Sequence, residues 1–203
     1  MLESLTAALI IGGLQFLTNP RTRWLGCRPD AAARIYYSNH TSHLDFVLLW
    51  SALPRRPRAQ TRPVASVDYW ERTIVRRYMI QRVFRGLRVK RGQAGRETSL
   101  ARMLEALARQ ESLIVFPEGT RGSGGELGSF RCGLFHLAQA RPEVDLIPVW
   151  IGNSSRVLPR GSFLPLPLMC SVTFGEPLHI VAGEEKASFL DRLRRSLLAL
   201  EAQ

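Results

Sequence analysis

The sequence predicts one α/β domain with a central, largely parallel sheet flanked by helices. Short apolar, strand-like runs recur near residues 35, 64, 88, 114, 147 and 172. Segments with helical apolar spacing separate them, the alternation that builds crossover-connected parallel sheets. The 203 residues suffice for one sizeable core, and no internal repeat, linker or low-complexity block divides them.

An uncharged run from Ser4 to Pro20 comes first, diluted by Thr6, Gly12, Gly13, Gln15, Thr18 and Asn19 and followed by Arg21, Arg23 and Trp24. A spanning helix needs about 20 mostly apolar residues, and a secretory signal opens with basic residues. The run meets neither pattern. Residues 1–24 fit equally a helix lying in a membrane interface and one packed on the protein's own core; residues 25–203 form the domain proper.

Ile35–Ser38 reads as a strand and Ser42–Leu53 as a helix opened by Ser42 and stopped before Pro54. Pro63–Val67 is a second strand. Tyr69–Phe84 interleaves apolar residues with Arg72, Arg76, Arg77 and Arg82, which predicts one basic amphipathic helix. Leu87–Val89 is a short strand leading to Lys90 and Arg91. Glu97–Gln110 carries Leu100, Met103, Leu104 and Leu107 at helical spacing. Ser112–Phe116 is a buried strand ended by Pro117, the glycine-rich loop Pro117–Gly128 follows, and Cys132–Ala140 is helical. Asp145–Ile151 is a strand whose Pro148 argues for an edge or a bulge. The apolar Val157–Leu168 segment leads to the strand Met169–Phe174, and Glu184–Leu200 is the last helix.

Lys+Arg 28 against Asp+Glu 17 gives a formal net charge of +11, so the surface should seek polyanions: nucleic acid, acidic lipid or phosphorylated substrates. Cys27, Cys132 and Cys170 make no metal-ligand or disulfide spacing, so reduced, partly buried thiols and no metal site are expected.

Parallel strands at 35–38 and 112–116 would end on one edge of the sheet, where open α/β sheets bind ligands. The segments following them are the polar ones. His40 and Asp45 would lie about 140° apart in a regular helix. They meet only if His40 sits in the turn before the helix and Asp45 in its first turns. Such a carboxylate fixes the imidazole tautomer and leaves the other ring nitrogen to take a proton from a substrate hydroxyl. The competing reading makes Asn39, His40 and Ser42 helix caps, with Asp45 in the electropositive first turn. Ser42 lacks a nucleophile elbow, and His43 has no similarly placed carboxylate. Across the cleft, Gly119 permits close approach, while Thr120 and Arg121 offer a hydroxyl and a planar guanidinium to an anion. The alternative there is a surface turn in which Glu118 and Arg121 pair.

Asn39-His40-Thr41-Ser42-His43-Leu44-Asp45 resembles the NHxSxxD block (the HX4D motif) of the glycerophospholipid acyltransferases. Phe116-Pro117-Glu118-Gly119-Thr120-Arg121 resembles their FPEGTR block. Weaker likenesses, in family order, are Gly86 to Arg91, Phe130-Arg131-Cys132-Gly133, Ile147-Pro148-Val149 and Phe174-Gly175-Glu176-Pro177. The resemblance implies a glycerol-3-phosphate acyltransferase-like fold. It also implies acyl transfer from acyl-CoA or acyl-carrier protein to the free hydroxyl of 1-acyl-glycerol-3-phosphate, with no cofactor beyond that donor. By the same analogy His40 is the general base and Asp45 orients it, while Arg91, Glu118, Gly119, Thr120 and Arg121 hold the phosphate side. Arg88 and Lys90 depart from the apolar or acidic residues usual in their block, which leaves other acceptors open, a lyso-aminolipid or lysophosphatidylglycerol among them. A non-catalytic membrane- or nucleic-acid-binding module is the reading from another class. The expected partners are lysophospholipid, the acyl donor and an anionic membrane surface, without nucleic acid. The expected location is the cytoplasmic face of a membrane, peripheral or monotopic. The 69–84 helix and the Val157–Leu168 segment are the candidate membrane face.

Overall fold

The computed structural model describes residues 2–90, 92, 95–122, 126–157, 166 and 168–202. Its centre is one seven-stranded sheet in the order β1-β7-β6-β2-β5-β3-β4. The strands are β1 (Arg21–Trp24), β2 (Arg34–Ser38), β3 (Thr61–Ser66), β4 (Leu87–Val89), β5 (Ser112–Val115), β6 (Asp145–Gly152) and β7 (Ser171–Phe174). All pairings are parallel except β6 with β7. The expected sheet is thus present.

The sheet is buried on both faces, which is why its strands read as continuous apolar runs. Along β2, Tyr36 joins one core cluster with Leu48, Leu49, Ile114 and Phe174. Its neighbours Ile35 and Tyr37 join the other, with Leu107, Leu137 and Leu193. Helices α1 (Leu2–Thr18) and α2 (Asp45–Ala52) cover the first face, and α6 (Arg96–Ala108), α7 (Gly133–Ala140) and α9 (Lys186–Leu198) the second. Short helical segments α3 (Arg55–Gln60), α4 (Val67–Trp70), α5 (Ile74–Tyr78) and α8 (Ser154–Val157) complete the described elements, with a π-helical turn at Met79–Val83.

Helix α1 packs through Leu14 and Thr18 on the core, and its opposite face shows Leu2, Leu5, Leu9 and Phe16 to the outside, Phe16 at 90% exposure. Among the described residues no helix is long and apolar enough to cross a membrane.

Two local expectations change. Arg21–Trp24, read as the flank of an interfacial helix, is an edge strand paired with β7, with Trp24 stacked on Phe174 at 3.8 Å. The single helix over Tyr69–Phe84 is three pieces. Thr73 leaves helical geometry and caps a fresh start, accepting from Arg76 N at 3.2 Å. The π-turn then sets Ile80, Val83 and Phe84 toward the core and leaves Ile74 78% exposed.

Pro148 lies in an interior strand, not at an edge, and a bulge faces it. Val149 pairs with Phe174 and Leu146 with Leu178, so residues 147–148 face residues 175–177, one more on the far side. Pro148 O accepts from Gly175 N at 2.9 Å. Its missing N–H points to the same bulged edge, where the ladder is already broken. Most of the Val157–Leu168 segment lies outside the described residues.

Candidate active site

Strands β2 and β5 are adjacent and parallel, Ile35 opposite Leu113 and Tyr37 opposite Val115. Their carboxyl ends therefore deliver the two polar segments to one edge, as the strand order requires. Asn39 fixes the exit from β2. Its side-chain Nδ2 donates to Ile151 O and its Oδ1 accepts from Ile151 N, both at 2.9 Å. That amide continues the sheet for one residue beyond the strand and frees the next residues to turn.

His40 sits in that turn and Asp45 opens α2, the arrangement that lets residues five apart meet. His40 Nδ1 lies 2.9 Å from Asp45 Oδ2. The same oxygen accepts from Thr41 N at 2.6 Å and Ser42 N at 2.8 Å. Asp45 is 0% exposed, so the carboxylate is held from three sides and solvent does not compete. Among the described residues His40 Nε2 has no hydrogen-bond partner, and the ring, 21% exposed, stacks on Phe116 at 4.1 Å. Ser42 Oγ accepts from Leu44 N at 3.3 Å, a local turn bond. It is buried, and this bond lies at the start of α2.

The second segment closes over the first. Gly122 N donates to His40 O at 2.8 Å and Glu118 Oε1 accepts from His40 N at 3.1 Å, so both main-chain groups of His40 are tied to the 117–128 loop. Glu118 Oε2 accepts from Gly128 N at 3.0 Å. Glu118 therefore spends its carboxylate on the loop and on His40, where the resemblance put it among the phosphate-holding groups. Gly119 has φ +70, and a Cβ there would run into the Arg131 side chain, whose Nε donates to Glu118 O. The Phe130–Gly133 block thus braces the loop. Thr120 is exposed and Arg121 half-buried at the cleft. Arg91 lies outside the described residues; β4, which leads to it, is parallel to β3 and ends on the same edge.

Sequence reasoning missed the surroundings of His43. Its ring stacks on Tyr69 at 4.8 Å, and the Arg76 guanidinium lies 4.4 Å from the centre of the Tyr69 ring. Burial first, then the charges of Arg121, His40 and Arg76, push His43 down to about 4. The signal available was the aromatic–arginine alternation of 69–76, which reads as an amphipathic face. The cysteines follow expectation: all three are free thiols, and burial pushes Cys27 up and Cys170 up to about 11.

A polar crevice of about 340 Å³ opens beside the dyad, lined by Asn39, Thr41, Glu118, Gly122 and Ser154 among others. Thr41 Oγ1 and Ser154 Oγ lie 3.0 Å apart at its wall.

Comparison with known proteins places this geometry. A 1-acyl-sn-glycerol-3-phosphate acyltransferase of Limnanthes alba is 26% identical over 179 residues, covering 84% of this chain and 59% of its own. A chloroplastic protein of the same name from Arabidopsis thaliana is 40% identical over 63 residues, 31% of this chain and 17% of the relative. The chain thus spans less than two thirds of the length of these curated relatives. The solved 1-acyl-sn-glycerophosphate acyltransferase PlsC of Thermotoga maritima superposes with a TM-score of 0.75 over 99% of this chain and 82% of its own, at 21% identity. At that identity the likeness establishes the shared fold. The acyltransferase family model matches residues 27–152, a span that takes in both polar segments, and the chain belongs to that family.

Proposed function

We propose that the protein transfers a fatty acyl group from acyl-CoA or acyl-carrier protein to the free hydroxyl of 1-acyl-glycerol-3-phosphate, giving phosphatidate. The observation that carries this reading is the His40–Asp45 pair, with Nδ1 engaged at 2.9 Å and Nε2 unengaged. Nε2 takes the proton of the acceptor hydroxyl as that oxygen attacks the thioester carbonyl. Asp45 holds the ring and balances the imidazolium charge. The tetrahedral intermediate then collapses, the C–S bond breaks, and the imidazolium returns its proton to the departing thiolate. No acyl-enzyme forms, and no cofactor other than the donor is called for.

Arg91, Gly119, Thr120 and Arg121 form the phosphate side in this reading, with Glu118 shaping their loop. The protein works as a peripheral enzyme at the cytoplasmic face of a membrane. Two features support that placement: the exposed apolar residues, on the outward stripe of α1 and at Ile74 and Val75, and the net charge of +11.

The test is His40→Ala assayed by thiol release from acyl-CoA with lysophosphatidate, the fold checked by circular dichroism. Loss of release in a folded variant supports the assignment; turnover at the wild-type rate removes His40 from the reaction.

A further inference from the structure

The geometry points to Arg76 as a specificity-determining residue that, with Arg121 and the His43 ring edge, binds the phosphomonoester of the acceptor beside the His40–Asp45 pair. This rests on the proposed reaction only for the identity of the phosphate bearer. The site itself stands on three observations.

Arg76 is half-buried, unlike Arg72 and Arg77 on the same stretch. Among the described residues no carboxylate lies within ion-pair distance of it. It is held instead over the face of Tyr69, at 4.4 Å. A cation laid on an aromatic face keeps its outward N–H groups available for an anion.

Tyr69 also fixes His43. The two rings are stacked at 4.8 Å and 21°, with His43 Nε2 3.5 Å from the Tyr69 hydroxyl. His43 follows His40 by three residues, so the stack stands directly beside the dyad. Arg76, Tyr69 and His43 form one continuous column from α5 to the catalytic turn.

Two permanent positive charges, those of Arg121 and Arg76, act on that ring. Asp45 opposes them, and it is bound to His40. An imbalance of this sign favours a compact dianion. A phosphomonoester fits that description, whereas a phosphodiester carries one charge fewer. Exposed Ile74 and Val75 lie immediately before Arg76, so a lipid whose chain rests on that apolar edge presents its headgroup to the column.

The experiment compares Arg76→Gln with Arg77→Gln as a control on the same turn. Acceptor and acyl-CoA are varied independently, and phosphomonoester and phosphodiester lysolipids are compared. Removing one charge-assisted contact should raise the KM for lysophosphatidate about tenfold or more. The KM for acyl-CoA, kcat, and turnover of lysophosphatidylglycerol should stay within about twofold of wild type, and Arg77→Gln should change none of them. A rise in the acyl-CoA KM instead would assign the column to the donor's phosphates and overturn the proposal. Unchanged constants would reduce Arg76 to a solvated surface arginine.

A second readout is independent of turnover. In the wild type, glycerol 3-phosphate should raise the pH at which the His43 ring titrates by NMR, and in Arg76→Gln that rise should vanish. A rise in a protein that does not acylate lysophosphatidate would sink the proposed reaction but keep the anion site; no rise in an active protein would sink the site and keep the reaction.

Discussion

The carboxylate of Glu118 holds the main chain of His40, Oε1 accepting from His40 N at 3.1 Å while Oε2 accepts from Gly128 N at 3.0 Å. An acidic side chain inside a segment expected to hold an anion is thereby explained. It faces the protein's own N–H groups, and its charge strengthens those bonds. The position of the base along β2 is therefore set by a residue on β5's loop.

Glu118→Gln should act on kcat. The amide can satisfy only one of the two N–H donors, and leaving one unsatisfied costs about 1–3 kcal/mol. A kcat lower by about 10–100-fold with the acceptor KM little changed is expected from steady-state kinetics. A raised KM at normal kcat would instead make Glu118 a substrate contact.

Asp45→Asn should separate charge from geometry. His40 Nδ1, Thr41 N and Ser42 N all meet Oδ2, so an amide oxygen in that place keeps all three contacts while the charge that balances the imidazolium is lost. The base is weakened in the transition state, and kcat should fall about 10³-fold or more. Thermal unfolding followed by circular dichroism should show a far smaller effect than the kinetics.

His43 makes stability depend on acid. The unfolded histidine takes a proton near pH 6.5 and the folded one near 4. Between those values the unfolded chain binds more protons, so stability rises with pH through the window. The contribution is fully present above pH 6.5 and is lost as pH falls to about 4. Urea unfolding at pH 7, 5.5 and 4.5 should show this decline, and His43→Gln should flatten it relative to wild type.

The outward stripe of α1 should govern membrane binding. Phe16 and Leu9 are exposed and make no core contact, so Phe16→Asp and Leu9→Asp should change stability by no more than about 0.5 kcal/mol. Each should nevertheless weaken co-sedimentation with vesicles containing phosphatidylglycerol, and added salt should weaken it further by screening the arginines. Binding equal to wild type in the double variant would exclude α1 as the docking face.

The sheet was legible because burial on both faces leaves its strands as uninterrupted apolar runs, as at Ile35–Tyr37 and Leu113–Val115. Strand β1 was not legible. Arg21-Thr22-Arg23 are exposed, and only Trp24 packs, on Phe174, so the segment is a strand because β7 offers it an edge. The break in the 69–84 helix was hidden because Thr73 acts through a cap, which residue spacing does not register. The contact between His40 and Asp45 was legible from local reach as one of two readings, helix capping being the other. The roles of Asn39 and Glu118 were not, since each bonds main chain far away in sequence, Ile151 and His40 respectively. The His43 column depended on where α5 folds back, and no periodicity encodes that.

Strand β1 pairs only with β7, Arg21 opposite Ser171, and the end of α1 is fastened through Cys170 N to Thr18 O at 3.1 Å. The end of α1 is made before its partner and acquires this fastening when residues near 170 have been made. At about 5–20 residues per second that is a delay on the order of 10–30 s. Throughout it α1 is an amphiphile with both apolar faces open and an incomplete seat. Whatever apolar surface lies beside the growing chain meets this helix before the finished domain does, and the order of synthesis becomes part of how the protein finds its place.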